Sequence, residues 1–424
     1  MSVYFAHGGE NEIITNAQKQ ELIQKLLGEH QPEKILVLPP DITRLHSNAG
    51  LLTQLLYQQW VEQAKTSDKR FDVLPAIGTH SPMSPEQVET MFGRMEQATF
   101  YHHDWRNEIQ RLGEVPADIV REISGGKIDY SIPVEINRRI VEGEHDLILS
   151  VGQVVPHEVV GMANGFKNVL VGTGGAEMIN KSHFLGAVDG IERMLGQTET
   201  SVRYVFNYAH QNYLKPIGIV YLMSVMGSAE TGETVMRGLF AGDDHQAFEM
   251  AAELSRKVNF NLLAQPLKRT VVYLDPLEFK STWLGNKSVY RTRMAMADRG
   301  ELIVIAPGLR EFGEDSEIDR LIRKYGYLGT EMTLQQVAGN DDLRRNLSAA
   351  AHLIHGTSEG RFRIIYATKH LSQAEIEGVG YQWADLEQTL AKYNPGKLTD
   401  GYHDDFFYIS NPAQGLWALK SQFS

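Results

Sequence analysis

The chain has 424 residues, 42% of them apolar, enough for two or three domains with cores of their own. A net charge of −12 excludes a surface built to hold a phosphate backbone, so nucleic acid is not an expected partner. Cysteine is absent, which excludes disulfides, zinc–cysteine centres and thiol catalysis and leaves histidine, carboxylate, lysine or an added group to hold any metal.

Residues 1–18 are mixed and polar, without the apolar run of a signal peptide. No stretch reaches the roughly 18 apolar residues that a spanning helix needs, so no membrane partner and a cytoplasmic location are expected. Ile35-Leu36-Val37-Leu38 predicts a buried strand, followed by a helix over residues 49–64. A second strand is expected over 73–77 despite Pro75, then a helix over 84–93 opened by Ser84-Pro85-Glu86. Residues 147–151 and 217–225 predict two more strands, the latter backed by a helix over 244–258.

Composition breaks at Ala264-Gln265-Pro266, and the pattern then restarts. It predicts a strand over 271–274, a helix over 288–298, a strand over 302–306, helices over 317–325 and 341–354, and a strand over 363–367. The expected fold is therefore α/β, with two domains of mostly parallel, Rossmann-like sheets and an interdomain cleft. Residues 1–267 form the first domain, which carries the site. Residues 268–424 form the second, which closes over substrate, and the last residues are expected to pack back on the first domain.

Polar clusters follow the strands. Asp41-Ile42-Thr43-Arg44 comes after the first, Gly78-Thr79-His80-Ser81-Pro82 after the second, and His157 after the third. Ligands of open parallel sheets bind beyond the carboxyl ends of the strands, so these clusters are expected to share one site. An imidazole titrates near neutrality, which suits His80 and His157 to moving protons. Arg44 suits a carboxylate or phosphate through paired hydrogen bonds. Asp41 and Thr43 are read equally well as caps of the following helix. Lys167 precedes the apolar run Val169-Leu170-Val171. It is either a lysine lying along apolar surface at a strand start or a nucleophilic attachment point. Gly172, Gly174 and Gly175 fit neither the Rossmann nor the P-loop spacing and imply only close backbone approach. Thr282–Lys287 opens a helix whose Arg291 and Arg293 form a solvated face, unless Lys287 reaches a substrate anion.

On these residues the chain resembles the nickel-pincer-nucleotide-dependent lactate racemase family of 2-hydroxyacid racemases and epimerases. The family's Asp-x-Thr-Arg motif matches Asp41–Arg44, and its Gly-x-His-x-Pro motif matches Gly78–Pro82. Its histidine, lysine ten residues on and histidine sixteen beyond match His157, Lys167 and His183. The resemblance implies an isomerase that inverts C2 of a 2-hydroxy acid by proton-coupled hydride transfer. The cofactor would be pyridinium-3-thioamide-5-thiocarboxylic acid mononucleotide carrying nickel. It implies Lys167 as the covalent attachment and His183 as the nickel ligand, consistent with a square-planar Ni(II) site. Asp41, Thr43, Gly172, Gly174 and Gly175 would face the cofactor, and Arg44 and Lys287 the substrate. His80 and His157 would be the catalytic pair. The substrate and the proteins that build the pincer would be the partners.

The chain departs from the family in having Asn164-Gly165-Phe166-Lys167 where lactate racemase has Gly-Gly-Arg-Lys, and in having Leu284 and the small residues near 347–350 at substrate-facing positions. With His46, Ser47 and Asn48 available for extra hydroxyls, a longer polyhydroxylated acid such as an aldonate is expected. The alternatives are an NAD-type 2-hydroxyacid dehydrogenase, for which no Gly-x-Gly-x-x-Gly is found, a three-histidine zinc hydrolase, and a non-catalytic sugar-acid binding protein on the same scaffold.

Overall fold

The computed structural model describes residues 3–63, 68–229 and 233–423. The chain divides into two compact units, one of residues 1–185 and 193–259, the other of residues 186–192 and 260–424. Both are α/β.

The first unit is built on a seven-stranded sheet. Its strands lie in the spatial order Val3–Gly8, Thr234–Gly242, Ile219–Ser228, Leu147–Gln153, Lys34–Leu38, Arg70–Val73 and Ala98–Phe100. The strand Lys34–Leu38 runs parallel to both neighbours, with Leu38 opposite Ser150 and Val37 opposite Val73. Its residues Ile35 to Leu38 are all fully buried, as expected of a central strand covered on both faces. Two antiparallel strands, Val3–Gly8 and Thr234–Gly242, complete the edge. The parallel arrangement brings the carboxyl ends of Lys34–Leu38, Arg70–Val73 and Leu147–Gln153 side by side.

The helix after the first strand spans Ala49–Gln63, and Ala64 of the expected helix lies outside the described residues. The second strand ends at Val73, four residues before the expected end. Pro75 has no N–H to donate to a ladder, so the chain leaves the sheet there. It is held instead by Leu74 N to Val37 O at 2.9 Å and Ala76 N to Pro39 O at 2.6 Å. The helix Pro85–Phe92 is capped by Ser84 and stopped at Gly93, as its sequence signals.

The second unit carries a six-stranded sheet in the order Gln382–Ala384, Arg363–Ala367, Met296–Ile305, Leu267–Tyr273, Phe407–Ile409 and Gly401–Tyr402, parallel except for the last pair. Here the expected helix over 288–298 is not formed. Two one-turn helices, Thr282–Gly285 and Lys287–Tyr290, precede a strand that already begins at Met296. The expected helix over 341–354 is split at Asn346, whose side chain caps Leu347–His355. Arg293 does not belong to a solvated face: it is 3% exposed and pairs with Glu192 at 2.7 Å. The last strand, Leu416–Leu419, pairs with Phe260–Leu263 of the same unit. Among the described residues no helix is long and apolar enough to cross a membrane.

Candidate active site

Asp41, Thr43, Arg44, His80 and His157 all follow the carboxyl ends of parallel strands of the first unit. Asp41 follows Lys34–Leu38 and caps the 3-10 turn Ile42–Ser47, its Oδ1 accepting from Thr43 N at 3.0 Å and also from the Thr43 hydroxyl. The capping reading is therefore correct for Asp41, but only for one oxygen. Its other oxygen, Oδ2, lies 2.6 Å from His80 Nδ1. Burial alone would raise the Asp41 pKa, but the hydrogen bonds from His80 and Thr43 outweigh it and hold the carboxyl below its ordinary range. An ionised Asp41 fixes His80 with its proton on Nδ1 and a lone pair on Nε2. The His80 side chain is 48% exposed, so the ring is open to a substrate.

Arg44 is exposed and kinked out of helical geometry, with its Nη1 3.1 Å from Thr43 Oγ1. It has no carboxylate partner among the described residues. The Gly78 N–H donates to Gly172 O at 2.8 Å, tying the His80 loop to the glycine-rich turn. Gly78 needs its glycine, because its φ is +58°; a Cβ there would meet only Val171 O at 3.6 Å.

His157 lies on a two-residue hairpin strand, Pro156–His157 against Gly161–Met162. Its Nδ1 accepts from Val159 N at 3.1 Å, so the neutral ring carries its proton on Nε2. The two neutral rings thus differ: His80 presents Nε2 as an acceptor, while His157 has its Nδ1 engaged by the backbone.

Lys167 is not at a strand start. It lies in the five-residue helix Phe166–Leu170, which Asn168 ties to the sheet by bonding Leu38 O and Ser150 Oγ, each at 2.9 Å. The Lys167 ammonium is pushed down to about 8, mainly by burial and then by the Arg44 charge, with Glu158 and Asp41 pulling the other way. About a tenth of the amine is therefore neutral and nucleophilic at pH 7, far more than for an ordinary lysine. His183, on the helix Ala176–Asp189, is pushed down to about 4 by burial and then by the Lys167 charge. Its Nδ1 bonds Ile179 O at 2.7 Å, which leaves the Nε2 lone pair for a ligand. The electrostatic coupling of Lys167 to Asp41 and Arg44, and of His183 to Lys167, places these side chains in one neighbourhood.

Gly172, Gly174 and Gly175 are buried in protein. A Cβ on Gly172 would strike Asn168 O, one on Gly174 the Leu170 carbonyl, and one on Gly175 the Glu135 carboxylate. The close approach these glycines permit is to the chain itself. Lys287 belongs to the second unit, where its ammonium lies 5.7 Å from the Phe279 ring centroid. Ser47 is fully buried, with its hydroxyl accepting from Ala49 N at 3.2 Å, and the Asn48 amide reaches Met226 S at 3.7 Å. Of the three residues expected to meet substrate hydroxyls, only His46 is exposed.

Sequence reasoning gave no role to Glu158, Asn168 or Arg203. Glu158 lies 4.0 Å from His157 Nδ1 and acts on both Lys167 and His183. Its adjacency to His157 was the available signal. Asn168, next to Lys167, gave a similar one. Arg203 gave none. Among the described residues no three histidine or carboxylate side chains gather as a metal set.

Fold and site define an α/β protein whose strand ends hold a histidine–aspartate pair near a half-buried lysine whose amine is held below its ordinary range. The lactate racemase N-terminal domain model matches residues 6–194. A lactate racemase from Thermoanaerobacterium thermosaccharolyticum is 27% identical over 186 residues, 42% of this chain, and the match spans only 39% of that relative's length. A crystal structure of a protein from Thermotoga maritima matches 98% of this chain and 100% of its own at a TM-score of 0.81 and 26% identity. The lactate racemase apoprotein of T. thermosaccharolyticum shares the fold, with a TM-score of 0.68 at 18% identity over 96% of this chain and 90% of that one. Residues 6–194 thus resemble the lactate racemase N-terminal domain, and the chain shares the fold of the lactate racemase apoprotein.

Proposed function

We propose that the protein is a racemase or epimerase that inverts C2 of a 2-hydroxy acid, using a nickel-pincer nucleotide held on Lys167 and ligated by His183. The residues fit such a group. A lysine amine pushed down to about 8 suits covalent attachment, and His183 offers Nε2 with its other nitrogen already committed to a carbonyl. The chain has no cysteine and no cluster of ligands among the described residues, so the metal would take its remaining donors from the cofactor. When bound, the group supplies a hydride acceptor and donor for substrate C2.

The chain's own share is orientation and proton movement. Arg44 binds the substrate carboxylate through its exposed guanidinium, and Lys287 is proposed as a second contact to the same anion. His80 Nε2 takes the hydroxyl proton, while Asp41 holds the ring and stabilises the imidazolium that forms. His157, in its imidazolium form, returns a proton to oxygen when the other epimer forms and becomes neutral, and the roles exchange in the reverse direction; its Nδ1 contact with the Val159 N–H belongs to the neutral ring and is given up on protonation. The single observation that carries the reading is the His80–Asp41 pair in the same neighbourhood as Lys167 and His183.

The finer substrate reading is a longer polyhydroxylated acid such as an aldonate. The exposed His46 supports it, while the buried hydroxyl of Ser47 does not. The partners are the 2-hydroxy acid and the proteins that make the pincer. Co-expression with those proteins, followed by a panel of single-epimer 2-hydroxy acids, tests the proposal. Epimer formation is expected, and its absence across the panel from pincer-loaded protein contradicts it.

A further inference from the structure

The most unusual charged side chain outside the catalytic group is Arg203. It is fully buried on the helix Ser201–Ala209, and burial alone pushes it down to about 9, with no carboxylate beside it among the described residues. A buried cation without a counter-ion is costly, so its few contacts carry weight. Its Nη2 donates to Met162 O and, at 2.9 Å, to Asn164 O, while its guanidinium lies 4.0 Å from the Phe248 ring centroid.

Those carbonyls belong to the turn that feeds Lys167. Asn164 has φ +67° and Gly165 φ +59°, and the helix carrying Lys167 starts at the next residue. Asn164 thus holds a left-handed conformation that a Cβ disfavours. A Cβ on Gly165 would press on Phe248 and lie 3.5 Å from Arg203 Nη1. The turn is thus fitted against Arg203 and Phe248 on one side, while Asn168 secures the helix to Leu38 and Ser150 on the other.

We infer that Arg203 is a positioning residue for Lys167: by gripping the carbonyls of Met162 and Asn164 it locks the left-handed turn that aims the lysine helix into the site. This rests on the reading of Lys167 as the attachment residue. Removing the grip frees two buried carbonyls and lets the turn relax, so the amine is no longer held where a bulky group is joined to it.

The test compares Arg203→Gln and Arg203→Lys with the unaltered protein in two measurements. The first is amide hydrogen exchange of the apoprotein. In Arg203→Gln, exchange over residues 165–170 is expected to quicken about tenfold while the strand Leu147–Gln153 stays protected. Unchanged exchange over 165–170 overturns the inference, and so does loss of protection throughout the first unit, which would mark a residue of global stability. If Arg203→Gln does not fold, the same criteria apply to Arg203→Lys, which keeps a donor and is expected to show a smaller, equally confined effect. The second is the fraction of co-expressed protein carrying the covalent group, by intact mass. It is expected to fall about tenfold in Arg203→Gln and to recover partly in Arg203→Lys. Equal loading in all three proteins overturns the inference. An adduct mapped to a residue other than Lys167 defeats the attachment reading instead, and the exchange data still decide whether Arg203 holds the turn.

Discussion

His80 Nδ1 lies 2.6 Å from Asp41 Oδ2, joining residues 39 apart in sequence at the ends of two adjacent parallel strands. The carboxylate is held ionised by this contact and by Thr43, so the pair has the geometry of an oriented general base. The link also redefines Asp41. Both of its oxygens are engaged within the protein, so it acts on the histidine before it can act on a nucleotide ribose.

Asp41→Asn keeps the shape but exchanges an ionised acceptor for an amide. Turnover of loaded enzyme is expected to fall by about 10²- to 10⁴-fold, the usual worth of a positioned acid–base group. Imidazole nitrogen shifts in the apoprotein should show His80 losing its fixed tautomer. Unchanged shifts and undiminished turnover would remove Asp41 from the account.

Lys167 should react as an unusually acidic amine. Competitive acylation of the apoprotein, read by peptide mass, is expected to give a midpoint near about 8 for this lysine. Ordinary exposed lysines titrate near about 10.4. A midpoint at the ordinary value would show that burial and Arg44 do not act on it as described.

Stability should fall in mild acid. His210 is buried and stacked on Phe166, with ring centroids 3.9 Å apart, and burial pushes its pKa from 6.5 to about 4. His103, buried between Asn137 and Gly174 O, is lowered for the same reason. The unfolded chain therefore takes up these protons first as pH falls. The stability they allow is complete above about pH 6.5 and drains away toward about pH 4, by up to about 3 kcal/mol for His210. Denaturant midpoints across this range should show a loss that His210→Phe reduces. A flat profile would contradict it.

The glycine-rich turn should respond unequally to added methyl groups. Gly174→Ala drives a Cβ into the Leu170 carbonyl, whereas Gly78→Ala meets no close atom and bears only the backbone penalty of its φ of +58°. Melting temperatures should fall much further for Gly174→Ala than for Gly78→Ala. The reverse order would mean that the turn packs otherwise.

Much of the architecture was legible because continuous apolar runs mark buried parallel strands, as at Ile35–Leu38 and in the strand Arg363–Ala367. The errors have local physical causes. Val169-Leu170-Val171 reads as β-forming, yet Asn168 and the packing of Phe166 hold it as a short helix, so tertiary contacts override propensity. Residues 288–298 look helical, but Met296 onward is recruited into the sheet beside Leu267–Tyr273. Within the site, residue types pointed to His80 and His157 and left Lys167 open between two readings, and the family resemblance singled out His183. They said nothing of Asp41 reaching His80, or of Arg203 reaching the turn before Lys167, because both contacts join distant segments. Glycines at 172, 174 and 175 implied close backbone approach, and the room they leave is taken by Asn168, Leu170 and Glu135.

The most direct measurement is on protein co-expressed with the pincer-building proteins: map the covalent adduct by peptide mass, then follow one epimer of a 2-hydroxy acid to equilibrium. The account predicts an adduct on Lys167, nickel bound in equal amount and lost in His183→Ala, and interconversion at C2 that His80→Ala abolishes while nickel stays. Inversion by adduct-free protein, or full inversion by nickel-loaded His80→Ala, would contradict it.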